Sequence, residues 1–473
     1  GYLTGSEWYT GWYQVNTYVS SESGTGSRLP WEFCYRWINS CNKVIFLGGD
    51  NPTPEQYGGM GIAYAVRAMW FLELGQTFGK GSYAQDKNAL TVPVVTEATT
   101  MEDETNNPRV SYAELFALIK SDLDNAEKYL ASYKRPDKTT PNLDAVYGLK
   151  ARLYLLMEDW ANAKTYAEKA MASYSMLTPD QITDMTEGFN TPNQAWIWCM
   201  TYASTDPCVM KNDGDTSWGA QMINEVGPSG CGYSSNYVGP KRIDKHLFES
   251  IPATDARKNL WVDFKLDEMD EPAMREALLT YTPNADNLQY NNWYNTSVGG
   301  VPVKFRPAKG SAVNGTYPDQ YAAFTVSIPI MRVEEMMLIQ AEAAGRINEA
   351  EGIALLTKFA QQRDPQYTYG MHKVDADTGC GMSDFMKEIW WQRRVELWAE
   401  GFAMFDIKRL NAGIVRNYPG TNHLEGFRFN TSVQPFWMDM LITSYEASYN
   451  SAIVQNPLIV APEVDSPEYT LWK

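Results

Sequence analysis

Hydrophobic residues recur at helical spacing over the first and last thirds of this 473-residue chain. Apolar side chains separated by three or four positions form one face of an α-helix. The spacing predicts helices at about 31–45 and 59–78, and Gly- and Pro-rich sequence between them predicts a break. The first apolar stripe comprises Trp31, Tyr35, Ile38, Cys41 and Val44–Ile45, and the second comprises Ala63, Val66, Trp70, Leu74 and Phe78.

Four further helical segments follow. Ser111 and Glu114 have the spacing of a capping box, which predicts a helix from 111 to about 131. Residues 142–174 predict a helical hairpin of tetratricopeptide type, because its small and aromatic positions match that repeat; an ordinary hairpin is the alternative. Residues 331–363 predict a second, less regular hairpin, and one long helix is expected over 383–411. The matching positions in the first hairpin are Ala151, Tyr154, Ala163 and Ala170.

The remaining sequence is irregular. Residues 1–30, 175–325 and 412–473 are rich in Gly, Pro, Asn, Ser and aromatic residues and lack a sustained period. Long ordered loops are uncommon and usually functional. We therefore predict a mainly helical, all-α fold in which hairpins at about 31–79, 111–174 and 331–411 support a loop-rich ligand-binding region at 175–325.

The charge balance narrows the set of partners. There are 40 basic and 57 acidic residues, giving a formal charge of −17. Such a surface repels polyanions, so nucleic acid is not an expected partner, and neither is an anionic membrane reached through basic residues. The sequence contains no signal peptide and no apolar run of about 18 residues. We interpret it as a mature fragment whose upstream export signal or lipid anchor, if any, is not visible.

Aromatic residues are unusually abundant, with 16 Trp and 29 Tyr. Trp and Tyr are flat and amphipathic, and the apolar face of a sugar ring packs on such planes while Asn and Asp bind its hydroxyls. Loops that carry both kinds of residue are the candidate carbohydrate contacts, although each aromatic residue could instead be core. Trp390, Trp391 and Trp398 lie in a helical pattern and are expected to be core. The candidate ligand contacts are Trp8, Trp12, Tyr13, Asn212, Asp213, Trp218, Asn291, Asn292, Trp293 and Tyr294.

Motifs for catalysis or cofactor binding are weak. No HExxH, GxSxG or GxGxxG motif occurs, and residues 75–81 predict a helix-ending turn rather than a phosphate loop. The three histidines, His246, His372 and His423, are far apart, which disfavours a zinc site. We expect no cofactor. Asp213, Asp215 and Ser217 approach calcium-loop spacing, but a solvated turn is the preferred interpretation.

The six cysteines do not fix the redox compartment. Cys34 and Cys41 are seven residues apart in a predicted helix, about 10 Å at a rise of ~1.5 Å per residue, which is too far for a disulfide. Cys199, Cys208 and Cys231 could pair in some combination, and Cys380 stands alone.

Four segments resemble the SusD/RagB family, the surface nutrient-binding lipoproteins of Bacteroidetes. They are "YRWINSCNKVI" with "VRAMWFLELGQTFGK" (35–45 and 66–80), "ATDARK" (253–258), "VSIPIMRVEEMMLIQAEAAGRIN" (326–348) and "WWQRRVELWAEGFAMFDIKRL" (390–410). In the last segment Asp406 and Arg409 can pair at i,i+3. Ala403 stands where the family usually has Arg, so one ion pair is expected to be missing. The segments occur in the family's order and span most of the chain.

The resemblance implies a single SusD-like domain over 1–473 that binds a glycan without altering it. It also implies an N-terminal lipid anchor on the extracellular face of the outer membrane and delivery to a SusC-like TonB-dependent transporter. Two other hypotheses stay open: a glycoside hydrolase on a helical scaffold, for which no sequence feature selects two carboxylates, and a tetratricopeptide scaffold that binds only proteins.

Overall fold

The computed structural model describes residues 22, 24–210, 217–226, 232, 234, 240–290, 297–310, 321–372, 381–457 and 466–470. Within these ranges helices dominate, which confirms the predicted mainly helical fold. None of the described helices combines the length and apolar character that a membrane span requires. The assignment of all 473 residues to one domain stays a prediction.

The long helices occupy the two ends of the chain and the short ones its centre. The N-terminal helices are α1 (Thr25–Gly48), α2 (Tyr57–Phe78), α3 (Met101–Glu104), α4 (Tyr112–Leu130), α5 (Leu143–Leu156), α6 (Trp160–Met171) and α7 (Pro179–Ile182). The central helices are α8 (Trp218–Met222), α9 (Lys245–Ser250), α10 (Glu271–Leu278) and α11 (Ala285–Tyr290). The C-terminal helices are α12 (Val333–Ile347), α13 (Glu349–Ala360), α14 (Asp384–Glu396), α15 (Ala403–Leu410) and α16 (Ser444–Tyr449).

Four short strands form two antiparallel pairs. Strand β1 (Leu90–Pro93) pairs with β2 (Arg109–Ser111), and β3 (Trp196–Thr201) pairs with β4 (Ser327–Arg332). In the second pair Trp196 lies opposite Arg332. The β3–β4 pair therefore joins the start of the loop-rich centre to the helix that follows it, α12.

The predicted tetratricopeptide hairpin is α5–α6. Ala151, Ala163 and Ala170 are fully buried and Tyr154 is 6% exposed, so the matched positions form the helix–helix contact as expected. The helices of the second hairpin, α12–α13, also approach each other closely. A Cβ on Gly352 would lie 2.3 Å from the Cα of Gly345, so the two backbones touch. Helices α2, α4, α5, α6 and α12 pack in sequence around this core.

The caps and the predicted core positions are confirmed. The Ser111 side chain accepts from the backbone N–H of Glu114, and the Glu114 carboxylate accepts from the Ser111 N–H, which begins α4. Trp390, Trp391 and Trp398 are all buried. Cys34, Cys41 and Cys199 carry free thiols, so the combinations left open by the sequence that include Cys199 are not formed. Cys231 and Cys380 lie outside the described residues.

Helix α1 begins earlier than predicted. The sequence suggested loop up to Pro30, but the helix begins at Thr25 and contains that proline. A proline removes one backbone hydrogen bond. Burial of Trp31, Cys34 and Ile38 along the same helix offsets that loss.

The predicted long helix at 383–411 is two helices. Helix α14 ends at Glu396 and α15 begins at Ala403, with positive φ at Ala399 and Gly401 between them. The backbone carbonyl of Glu396 accepts from Lys304 Nζ at 3.0 Å and from Arg332 Nη2 at 2.6 Å. Because distant side chains satisfy the last carbonyls of α14, the chain can turn there.

Candidate functional site

A buried ionic network fastens the loop-rich centre to the helices. The Glu396 carboxylate accepts from three guanidinium groups, Arg332 at 2.7 Å, Arg363 at 3.0 Å and Arg257 at 3.2 Å. Burial alone would raise the pKa of Glu396, but the three arginines outweigh it and hold that pKa well below its usual value. Arg257 also pairs with Asp255 at 2.7 Å, so the short "ATDARK" segment is fixed against α14.

A second carboxylate extends this network to the turn between α14 and α15. Glu400 binds Arg332 Nε at 2.8 Å and also binds Lys304, which reaches the Trp398 carbonyl at 3.0 Å. The side chains of all three charged residues are almost completely buried. The ion pair predicted within α15 is present as well, with Arg409 Nε 2.7 Å from Asp406 Oδ1. Charge in this part of the molecule is buried and paired.

Most of the predicted ligand residues cannot be placed. Trp8, Trp12, Tyr13, Asn212, Asp213, Asn291, Asn292, Trp293 and Tyr294 lie outside the described residues. Trp218 is described. It begins α8, is capped by Ser217, and meets the Phe305 ring edge-on with centroids 4.6 Å apart. It remains partly exposed, so its indole both packs and reaches the surface.

The segment with calcium-loop spacing, which we interpreted as a solvated turn, falls mostly outside the described residues. Asp213 and Asp215 are not described, and Ser217 uses its hydroxyl to cap α8 at 3.0 Å from the Ala220 N–H. Among the described residues, no three His, Cys, Asp or Glu side chains are arranged to hold a metal ion. His372 and His423 bind separate carboxylates, Glu388 at 2.8 Å and Asp244 at 3.0 Å.

A large cavity lies where α2, α5, α15 and the β3–β4 pair meet, and we call it the interhelical cavity. Its volume is about 560 Å³, within the range of ligand-binding pockets. Its walls are mainly apolar, and Trp218 is not among the residues that line it. The aromatic lining residues are Trp37, Trp70, Trp198, Phe402 and Phe405.

One carboxylate at this cavity, that of Glu73, has no hydrogen-bond donor among the described residues. The charge of Arg152 acts on it, but Arg152 is held by Glu335 through two contacts of 2.6 and 2.7 Å and by the Ile330 carbonyl. No described side chain donates a hydrogen bond to Glu73. Burial raises the pKa of Glu73 to about 7, a change that Arg152 opposes and Glu335 reinforces. Within the described part of the chain, Glu73 is therefore an acceptor at the cavity without a hydrogen-bond partner.

Two donors that line the same cavity are also unsatisfied. Within the described part of the chain, Trp70 Nε1 and Arg393 Nη1 are buried and have no hydrogen-bond partner. Arg393 donates from Nε to Asp406 at 2.8 Å, but its Nη1 makes no such bond. Buried polar atoms are normally bonded. Two buried donors without an acceptor at one cavity make it a candidate binding site.

The sequence contained a signal for this cavity. Arg67 and Glu73 are the two charged residues of the otherwise apolar helix α2. Arg67 is fully used by Asp122 at 2.7 and 2.8 Å and by Asn42 at 2.8 Å. Glu73 differs from it because its partner is missing, and only the three-dimensional structure reveals that difference.

The architecture defines a class: a helical-repeat frame that carries a long, loop-rich, aromatic central region fixed to it by buried ion pairs. Family models agree with this description. The SusD family model matches residues 210–458, and a model described as "Starch-binding associating with outer membrane" matches residues 5–155. The chain belongs to the SusD family. Proteins of this family bind carbohydrate and associate with the outer membrane.

Individual relatives are distant but nearly complete in coverage. A SusD-like protein of Formosa agariphila is 24% identical over 455 residues, which is 92% of this chain and 82% of the relative. A solved SusD-like carbohydrate binding protein from Bacteroides vulgatus superposes with a TM-score of 0.69 at 20% identity, covering 99% of this chain and 90% of that one. A laminarin binding SusD-like protein gives a TM-score of 0.58 at 17% identity, covering 91% of this chain and 85% of that one. These solved structures confirm the fold.

Proposed function

We propose that this protein captures an oligo- or polysaccharide at the cell surface without altering it and passes it to a SusC-like TonB-dependent transporter. The observation that carries the proposal is the SusD family match over the loop-rich centre and the C-terminal helices. The names of the Bacteroides vulgatus and laminarin-binding relatives support carbohydrate as the ligand class. The protein reaches the membrane through an N-terminal lipid anchor, and its ligand face points outward.

The predicted contacts belong to the N-terminal segment and the loop-rich centre, and described residues of that centre are bonded to the helical frame. Lys304 and Arg257 belong to the loop-rich centre, and both are bonded to the end of α14. A rigid base lets aromatic and amide side chains bind sugar with little reorganisation. The predicted platform consists of Trp8, Trp12, Tyr13, Asn212, Asp213, Trp218, Asn291, Asn292, Trp293 and Tyr294. An exposed platform of this kind desolvates little surface, so we expect affinity to be weak to moderate.

A hydrolase is the second candidate, and Glu73 is the observation that favours it. A carboxylic acid with a pKa of about 7 in an apolar cavity has the property of a general acid. Hydrolysis also requires a second, ionised carboxylate that is free to act. Glu335, Glu400 and Asp406, which line the same cavity, are each bound by arginine. This pairing favours binding over hydrolysis.

Affinity gel electrophoresis with a panel of neutral and acidic polysaccharides tests the proposal. We expect retardation in at least one gel, and Trp8→Ala, Trp218→Ala and Trp293→Ala should include at least one variant whose affinity falls roughly tenfold, as expected for a lost stacking plane. Tyr449→Ala is the control, because Tyr449 is 78% exposed on α16 and is not in the predicted platform. Unchanged affinity in all three tryptophan variants would contradict the assignment of these loops.

The transporter partner requires a separate test. The gene product, expressed in its native membrane and purified under mild detergent, should bring a TonB-dependent barrel with it. If it brings the barrel but binds no glycan in any gel, the protein is a protein-binding scaffold. If no barrel is recovered, delivery to a transporter is the part of the proposal that fails.

A further inference from the structure

The interhelical cavity reaches from the protein surface into the helical core. Its mouth includes Trp37 and Met200, which are 47% and 36% exposed. Its inner wall includes Trp198 and Ile339, which are almost completely buried and belong to the main hydrophobic core. A cavity of about 560 Å³ with this arrangement has both the room and the entrance that a small organic molecule requires.

The two unsatisfied donors of the cavity wall define what a ligand must offer. Trp70 Nε1 and Arg393 Nη1 are buried from solvent, and neither has an acceptor within the described part of the chain. Arg393 is only 4% exposed, and its guanidinium lies 5.8 Å from the centroid of the Phe402 ring, which also lines the cavity. Leaving a buried donor unpaired is unfavourable, so a ligand that brings an oxygen acceptor to either atom gains affinity.

The charges around the cavity disfavour an ionised ligand. Glu73 is half-buried and, among the described residues, no cation is bound to it. An anion would therefore meet this carboxylate without meeting a surplus cation. A cation would bring further donors to Trp70 and Arg393, which already lack acceptors. The three cations among the described lining residues are each held by a buried carboxylate, in the pairs Arg152–Glu335 at 2.6 Å, Arg393–Asp406 at 2.8 Å and Arg409–Glu342 at 2.6 Å.

We propose that the interhelical cavity binds an uncharged, mainly apolar molecule that carries a carbonyl-type oxygen acceptor, such as an aromatic ketone or ester. The rings of Trp37, Trp70 and Phe402 suit a planar aromatic body. A free sugar suits the cavity less well, because its many hydroxyl groups would lose water against apolar walls. A single hydroxyl on the ligand can donate to Glu73, which lies one helical turn from Trp70. Trp218, the described residue of the predicted glycan platform, does not line this cavity.

Equilibrium dialysis with four matched naphthalene probes, all as β isomers, tests the ligand class. Acetonaphthone carries a neutral carbonyl, methylnaphthalene carries no oxygen, naphthoate is an anion and naphthylmethylamine is a cation. We expect acetonaphthone to bind roughly tenfold more tightly than methylnaphthalene, because the carbonyl pairs a buried donor. Equal affinity of these two probes would contradict the proposal, and so would tightest binding of the anion or the cation.

Two conservative variants test the assigned donors. Trp70→Phe keeps an aromatic ring but removes Nε1, and Arg393→Lys keeps a cation for Asp406 but removes Nη1. At least one of them should lower the preference for acetonaphthone over methylnaphthalene several-fold, while methylnaphthalene affinity stays constant and shows that the cavity is intact. Trp160→Phe is the matched control, since Trp160 packs on Arg346 outside the cavity lining. Full preference retained in both donor variants would overturn the proposal.

A variant at the mouth tests where the probes bind. Met200→Trp narrows the entrance and should weaken all bound probes, whereas Met210→Trp should not, because Met210 is 58% exposed and does not line the cavity. Unchanged probe affinities in Met200→Trp would place the probes elsewhere and sink the proposal.

Competition separates this site from the proposed glycan function. A polysaccharide that is retained in affinity gels should leave acetonaphthone bound, and Met200→Trp should be retained as strongly as the wild type. Displacement of acetonaphthone by that polysaccharide would show that the cavity belongs to the glycan site and would overturn the proposal. Absence of any glycan retention would count against the proposed function alone, since the probe experiments do not depend on it.

Discussion

Two regions of this molecule hold carboxylates away from bulk water, and the regions differ in whether those carboxylates are paired with cations. Around Glu396 and Glu400, carboxylates are enclosed by Arg332, Arg363, Arg257 and Lys304, and each is bonded more than once. At the interhelical cavity, whose walls are mainly apolar, Glu73 is half-buried and receives no hydrogen bond from the described residues. Both regions cost desolvation, but only the first is repaid by ion pairs.

The difference distinguishes charged side chains that stabilise the fold from a charged side chain that is available to a ligand or partner. The paired network ties the central loops to the helices and explains why residues far apart in sequence must be charged. The unpaired carboxylate does nothing for the stability of the described structure and is instead suited to meet a donor. The following predictions test this separation, from the largest expected effect to the smallest.

Glu396→Gln should be severely destabilising. The substitution leaves Arg332, Arg363 and Arg257 around a neutral amide, and breaking a buried ion pair from one side typically costs about 3–5 kcal/mol. Urea titration measures the expected loss in the free energy of unfolding. A loss below about 1 kcal/mol, the range of exposed pairs, would show that the network is not structural.

Gly352→Ala tests how closely helices α12 and α13 of the helical frame are packed. The added Cβ would lie 2.3 Å from the Gly345 Cα, and overpacking of this kind costs about 1–3 kcal/mol. Gly59→Ala in α2 is the matched control, because nothing lies within 4 Å of its Cβ and alanine favours a helix. The midpoint temperature of thermal unfolding should fall for Gly352→Ala and should stay constant or rise for Gly59→Ala.

Glu73→Gln should stabilise the protein consisting of residues 1–473, and only at high pH. Because burial raises the pKa of Glu73 from 4.5 to about 7, its contribution is favourable below pH 4.5 and is lost as the pH rises through 7. The neutral amide avoids that loss, so we expect a gain of about 1–2 kcal/mol at pH 8 and little change at pH 4.5. Unfolding free energies at the two pH values provide the measurement, and equal effects at both would contradict the assignment.

Lys164→Ala should change stability least. Lys164 pairs with Glu351 across α6 and α13, but both side chains are substantially exposed. Exposed pairs contribute about 0–1 kcal/mol. Urea titration should place this variant within about 0.5 kcal/mol of the wild type, and a loss as large as that of Glu396→Gln would erase the distinction between the regions.

Local features of the fold could be predicted from the sequence, and long-range ones could not. The capping box at Ser111, the small positions of the α5–α6 hairpin and the Asp406–Arg409 pair depend on residues within a few turns of each other. The break between α14 and α15 depends on Lys304 and Arg332, which lie 92 and 64 residues before Glu396. A helical pattern continues across that break because the turn is set by distant donors.

The interhelical cavity was not predicted from the sequence, for the same reason. Composition identified aromatic loops, of which Trp218 is described, and its contact with Phe305 is a tertiary one. The interhelical cavity brings together α2, α5, α15 and two strands, so no window of sequence contains it. Glu73 was visible as a charge in an apolar helix, but its lack of a partner becomes apparent only when Arg152 is seen bound to Glu335.

The central proposal, that this protein binds carbohydrate without altering it, is tested most directly by titration calorimetry. The complete protein is titrated with each polysaccharide, and reducing ends are assayed in the same samples after prolonged incubation. The account predicts saturable heat with at least one polysaccharide and no increase in reducing ends in any sample. Release of reducing ends that disappears in Glu73→Gln would contradict it and establish a hydrolase.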